Sequence, residues 1–189
     1  FKALRNSSGP APRLLDDLRP IDISEGYDLQ GILSTQLESS KGICCGHKIG
    51  CTTPVMQAFL NILHPCAGRL YTYEVYEQSV VLHLCDFVGV GVECEIALQL
   101  HQDIIPSTDP HTKLSVLRSV GAVMAAAEIV DNRYTDFNDF GIPSLVADDF
   151  FSSGAVLGAA VSIDGLNLAA VQGTTLIDGV EIASGLGDD

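Results

Sequence analysis

Positive charge is scarce in this chain. Ten lysines and arginines face 24 aspartates and glutamates, for a net charge of −14. A surface that acidic repels nucleic acid and anionic lipid, so neither is an expected partner. It suits a divalent cation and keeps the protein in solution. Long apolar runs are also missing: no stretch reaches the roughly 20 residues that a membrane-crossing helix needs. No secretory leader is visible. Six cysteines are present, but none stands in the paired C-x-x-C spacing of common zinc sites. The expectation is therefore reduced thiols in a cytosol-like compartment, with a cytoplasmic location. Internal repeats and low-complexity tracts are absent too. With 47% hydrophobic residues over 189 positions, the chain can bury a sizeable core.

Three features organise the first part. Residues 1 to 20 carry Gly9, Pro10, Pro12 and Pro20 and read as an irregular lead-in, with a short helix near Leu14 to Leu18. Asp22 and Glu25 form a capping pair before Tyr27, Leu29, Ile32, Leu33 and Leu37, which predicts a helix over about 24–36. Thr53 and Pro54 open a second helix with Met56, Phe59, Leu60 and Leu63 as its buried stripe. Between them lies GICCGHKIGCTTP, residues 42–54, read as a short strand and turn. There Cys44, Cys45 and Cys51 read as packing residues, since free cysteine behaves as a small buried hydrophobe. In an extended segment His47 faces away from Lys48.

Later the period changes. YTYEVYEQSVVLHL alternates and reads as strands, and DFVGVGVECEIALQL is the clearest strand signal. Leu114, Leu117, Val120 and Val123 predict a third helix between Asp109 and Met124, followed by a strand at AAAEIV. Asp164-Gly165 and Asp178-Gly179 sit between alternating apolar runs, a hairpin signal. The expected class is α+β: a helical N-terminal part over residues 1–69 and a mixed, mainly antiparallel β-rich part over 70–189.

Within VECEIALQL, Glu93 and Glu95 share one strand face, about 7 Å apart along the strand. Val90, Val92, Cys94, Ile96, Leu98 and Leu100 share the other, which predicts a half-buried strand. Two like charges there repel, and a divalent cation held by their oxygens relieves the repulsion. The same alternation also occurs on solvated strand faces. Glu128 lies in the apolar stretch MAAAEIV, where a lone carboxylate is costly unless paired or ligating.

GHKIGCTTPVMQ, HPCAGRLY, VECEIALQL, AAAEIVDNRY and VADDFFSSGAVLG occur in that order. Together they resemble the 2-keto-4-pentenoate hydratase and 4-oxalocrotonate decarboxylase branch of the fumarylacetoacetate hydrolase superfamily, from about Gly26 to the last residue. The resemblance implies a β-roll of the fumarylacetoacetase C-terminal-domain type. It implies Mg²⁺ or Mn²⁺ held by Glu93, Glu95 and Glu128. It places the family lysine on Lys48, beside the substrate's carboxylate and its oxo or enol oxygen. Asp148 matches the family's A-D-N motif, with Asp149 in place of the asparagine, and Ser152 or Ser153 falls near the substrate-contacting serine. Cys66 stands where some hydratases carry an acidic residue.

The implied activity is hydration of a 2-hydroxy-2,4-dienoate to a 4-hydroxy-2-oxo acid, as in aromatic meta-cleavage catabolism, by a homo-oligomer. Ketonisation makes the alkene an acceptor for water, with Lys48 assisting. Decarboxylation of a vinylogous 2-oxo acid or acylpyruvate hydrolysis on the same scaffold are the alternatives. The family continues past ASGLGDD with a helix and strands that complete the roll, so a truncated C-terminus is also expected. A truncated, inactive homologue that associates with another chain is therefore a further reading.

Overall fold

The computed structural model describes residues 1–5 and 9–188. Residues 6–8, inside the expected irregular lead-in, and residue 189 lie outside the described residues. The architecture is mixed α and β. In chain order it runs α1 (Lys2–Arg5), α2 (Ile23–Lys41), β1 (Cys44–Gly50), α3 (Pro54–Phe59), β2 (Cys66–Tyr71), β3 (Val75–Glu77) and β4 (Val90–Leu100). It continues with α4 (Lys113–Leu117), β5 (Val120–Asp131), α5 (Phe137–Phe140), α6 (Ile142–Ala147), β6 (Ser152–Leu157), β7 (Gln172–Ile177) and β8 (Val180–Leu186). β1 pairs with β2 and β7 with β8, both antiparallel. A four-stranded sheet has the order β3-β6-β5-β4.

Two compact units result. The first comprises Phe1–Tyr76, Val80–Glu93 and Glu128–Ala155; the second, Glu77–Ser79, Cys94–Ala127 and Val156–Asp189. In the first, α2 packs on α6. Ile62, Cys66, Tyr134, Phe140, Leu145, Val146 and Phe150 form its main core, and Leu33, Leu37 and Tyr71 a smaller one. In the second, Val120 and Val123 are the buried hydrophobic residues among those described.

Local chemistry explains several boundaries. The Asp22 side chain accepts from the Glu25 N–H at 2.9 Å, and Glu25 reaches back to the N–H of Ile21, so α2 starts where the capping pair predicts. Thr53 accepts from the Met56 N–H and Pro54 opens α3. In the lead-in, the short helix expected near Leu14 is a single 3-10 turn at Asp16–Leu18. Asp178 and Gly179 both take positive φ, 52° and 79°, and join β7 to β8 as a primed hairpin turn.

Other expectations need correction. The helix expected between Asp109 and Met124 shrinks to α4. A Thr112–Ser115 capping box starts it, and Val120 and Val123 belong to strand β5, where ladder pairing outweighs a coincidental helical spacing. The α3 stripe is not buried: Met56, Phe59 and Leu63 are exposed. The apolar face of β4 is largely uncovered, with Val92, Leu98 and Leu100 exposed. Of YTYEVYEQSVVLHL, Tyr71 closes β2, Val75–Glu77 forms β3 and Leu84 begins a 3-10 turn. Asp164-Gly165 forms a turn, but no paired strands flank it. Among the cysteines near Lys48, Cys45 is exposed rather than packed, and all six are free thiols.

Candidate active site

Strand β1 sets the side of Lys48. His47 is exposed and Lys48 buried, as alternation requires. The Lys48 Nζ lies 3.0 Å from Glu128 Oε1, with both side chains 7% exposed. The approach is a buried ion pair, and among the described residues Lys48 is the group that faces this oxygen. Burial raises the Glu128 pKa. Lys48 opposes that rise and Glu93 adds to it.

Paired strands β4 and β5 supply the rest. One carboxylate oxygen from each of Glu93, Glu95 and Glu128 lies within 4.8 Å of the others. Two of the three are exposed and Glu128 is buried, so the group has a wet side and a dry side. It consists only of hard oxygen donors, which suits a divalent cation of the Mg²⁺ class and not a thiolate-seeking one. The buried Glu128 carboxylate, whose Oε1 faces Lys48 and which stands next to the exposed pair, is the feature of the donor set that fits such an ion. Among the described residues this is the group of acidic, histidine or cysteine side chains assembled for a metal.

Asp148 is placed differently. Arg5 Nε approaches its Oδ1 at 2.7 Å, Arg133 its Oδ2 at 3.4 Å, and the Tyr134 hydroxyl donates to Oδ2 at 2.7 Å. Burial alone would raise its pKa, but Arg5, Arg133 and the Tyr134 hydrogen bond outweigh burial and lower it. Its side chain engages Arg5, Arg133 and Tyr134, an anchoring network between distant segments. Ser152 is buried and donates to the Arg69 carbonyl at 2.8 Å, while Ser153 accepts from Arg133 at 3.1 Å. Asp149 accepts from the Arg69 N–H at 2.7 Å, and burial pushes its pKa from 3.8 up to about 6. Cys66 is fully buried, and burial beside Cys51 pushes its thiol up to about 11.

So the structure joins Lys48, Glu128, Glu93 and Glu95, and sets Asp148 and Ser152 in a separate hydrogen-bond network. The arginines of that network were not singled out from sequence. Arg5 lies 143 positions from its partner, and no local pattern announces such a pair.

Comparison with known proteins gives the chain its relatives. A 2-keto-4-pentenoate hydratase of Paraburkholderia xenovorans is 31% identical over 189 residues, covering 99% of this chain and 68% of that protein. The chain belongs to the 2-keto-4-pentenoate hydratase family. A second hydratase, from Burkholderia vietnamiensis, is 30% identical over 167 residues, and the chain spans 63% of its length. A 4-oxalocrotonate decarboxylase of a Pseudomonas species is 31% identical over 152 residues, covering 80% of this chain and 58% of that protein. The solved structure of 4-oxalocrotonate decarboxylase from Pseudomonas putida G7, complexed with magnesium and adipate, superposes with a TM-score of 0.83. It is 22% identical, covers 98% of this chain and 71% of that one, and shows the shared fold. No family model matches the chain. No helix among the described residues is long and apolar enough to cross a membrane.

Proposed function

We propose that the chain carries the active site of a divalent-metal-dependent hydratase. It adds water to a 2-hydroxy-2,4-dienoate to give a 4-hydroxy-2-oxo acid. The observation that carries this reading is the buried Lys48–Glu128 pair set against the exposed carboxylates of Glu93 and Glu95. Relatives named for that reaction support it. Glu93, Glu95 and Glu128 would hold Mg²⁺ or Mn²⁺; neighbours solved with magnesium and with calcium support a divalent ion. When bound, the ion supplies Lewis-acid polarisation of a chelating 2-oxo acid.

The chain's own residues do the rest. The Lys48 ammonium supplies fixed positive charge at the substrate's carboxylate and 2-oxygen, in a setting drier than the surface. Loss of the 2-hydroxyl proton with protonation at C5 gives a 2-oxo-3-enoate whose double bond is conjugated with the 2-oxo group, so water adds its hydroxyl at C4 and a proton goes to C3. A lysine within reach of the 2-oxygen stabilises the charge that develops there during both steps. Asp148 holds Arg5, Arg133 and Tyr134 together and is assigned an indirect role. Ser152 fixes Arg69 of β2, the strand facing Lys48.

The test is turnover of 2-hydroxypenta-2,4-dienoate by the intact chain with Mg²⁺, with Mn²⁺ and with EDTA, alongside 4-oxalocrotonate. Metal-dependent formation of 4-hydroxy-2-oxopentanoate, lost in Lys48→Ala, is expected. Release of CO₂ from 4-oxalocrotonate without hydration would replace this reading by the decarboxylase one, which the Pseudomonas relative favours. No turnover of either by a folded, metal-loaded chain would favour the inactive homologue.

A further inference from the structure

The lysine at the centre of the site is seated by a feature that neither the motif nor any relative's name records. Lys48 on β1 stands directly opposite Gly68 on β2. A Cβ on Gly68 would lie 2.7 Å from the Asp149 carbonyl and 3.0 Å from Lys48 Cε, so the bare glycine is what lets the lysine stem lie across the strand. At the end of that stem the ammonium sits 5.1 Å from the centroid of the Phe150 ring. Gly50 backs the same ring: a Cβ there would meet Phe150 at 2.9 Å and Lys48 Nζ at 3.5 Å.

The ring arrives by an unusual route. Asp149, Phe150 and Phe151 take φ of 65°, 44° and 64°, three successive left-handed residues without a glycine. Residues with a Cβ seldom adopt that region, and they keep it only where the surroundings over-determine it. Here they do. Asp149 Oδ1 accepts from the Arg69 N–H at 2.7 Å, Ser152 donates to the Arg69 carbonyl at 2.8 Å, and the Phe150 N–H donates to the Leu145 carbonyl at 2.8 Å. The Asp131 N–H also donates to the Phe151 carbonyl at 2.9 Å. The turn is thus clamped to β2, α6 and β5, and its product is an aromatic face beneath a buried cation.

We propose that Phe150 is a positioning residue for Lys48, its ring face holding the ammonium against Glu128 and out of water. The catalytic consequence rests on the role given to Lys48 above; the placement itself does not. A ring that merely fills the core would be replaceable by any side chain of similar bulk, whereas a cation-holding ring needs its π face.

The experiment compares Phe150→Leu with Phe150→Tyr in the full chain. Its first readout is competitive acetylation of lysines, read residue by residue by mass spectrometry, which needs no turnover. Phe150→Leu is expected to raise Lys48 labelling relative to exposed Lys113 about fivefold, and Phe150→Tyr to stay within about twofold of the unchanged chain, the span expected for a partly desolvated cation–π contact. Unchanged labelling in Phe150→Leu, or equal rises in both variants, overturns the proposal. If Phe150→Leu does not fold by circular dichroism, Gly50→Ala displaces the ring instead: a rise in Lys48 labelling supports the proposal and no rise overturns it. The second readout is hydration kinetics. Phe150→Leu should lower kcat about tenfold with KM changed less than about threefold, and Phe150→Tyr should restore kcat. Absence of hydration in the unchanged chain sinks the functional reading and leaves the labelling to decide this one.

Discussion

In the first unit Phe140, Leu145 and Val146 are fully buried, whereas in the second the β7–β8 hairpin leaves Leu176, Val180 and Ile182 at 58%, 65% and 56% exposure. Both regions are rich in apolar residues. The difference is the depth of packing: α6 lies against α2 in the core, while among the described residues β7 and β8 pair with each other alone and meet β4 at small positions such as Gly173 against Cys94. An apolar pattern records a face that can be buried, and burial needs something to pack on it. A lone two-stranded ribbon is marginal in water. Lys48 and Glu128 lie in the first unit, buried where a low dielectric strengthens their mutual field.

Asp148→Ala strands the Arg5 guanidinium, itself 6% exposed, and should destabilise the chain by about 3–5 kcal/mol in urea unfolding. A loss below about 1 kcal/mol would show that the buried network contributes little. Leu145→Ala, in the same closed core, should cost about 2–5 kcal/mol.

Asp149 sharpens the comparison through pH. Its pKa rises from 3.8 to about 6 on folding, so between those values the folded chain keeps a proton that the unfolded chain loses. Stability from this group is therefore full below pH 3.8 and falls as pH rises toward 6. Two pKa units correspond to roughly 3 kcal/mol. Asp148, with its lowered pKa, has the opposite sign: its contribution is present above pH 3.8 and is lost as pH falls through the lower folded value. Asp149→Asn should flatten the descent across this window and raise stability at neutral pH, checked by urea midpoints at several pH values. The smallest effect belongs to the hairpin, where Ile182→Ala should change stability by less than about 1 kcal/mol.

The same contrast explains what was legible in the sequence. The α2 and α3 starts could be read because caps are local: Asp22 and Thr53 each satisfy a backbone N–H three residues on. The alternation of His47 and Lys48 was legible for the same reason. Burial was not, because Met56 and Val92 sit in well-formed elements yet stay exposed among the described residues. Val120 and Val123 fitted a helical spacing, and only their ladder partners make them strand. The acidic group was legible because Glu93 and Glu95 share a strand face and Glu128 stands alone in an apolar run. The left-handed turn at Asp149–Phe151 carries no glycine to announce it, and its effect on Lys48 depends on contacts about a hundred residues apart in sequence.

The carboxylate group is the centre of the proposed site, and metal binding tests it. Isothermal titration of Mn²⁺ into the metal-free chain should show one site, strengthened by oxalate, that is lost or weakened about tenfold or more in Glu128→Gln and Glu95→Gln while both variants stay folded. Equal affinity in the unchanged chain and both variants would contradict it.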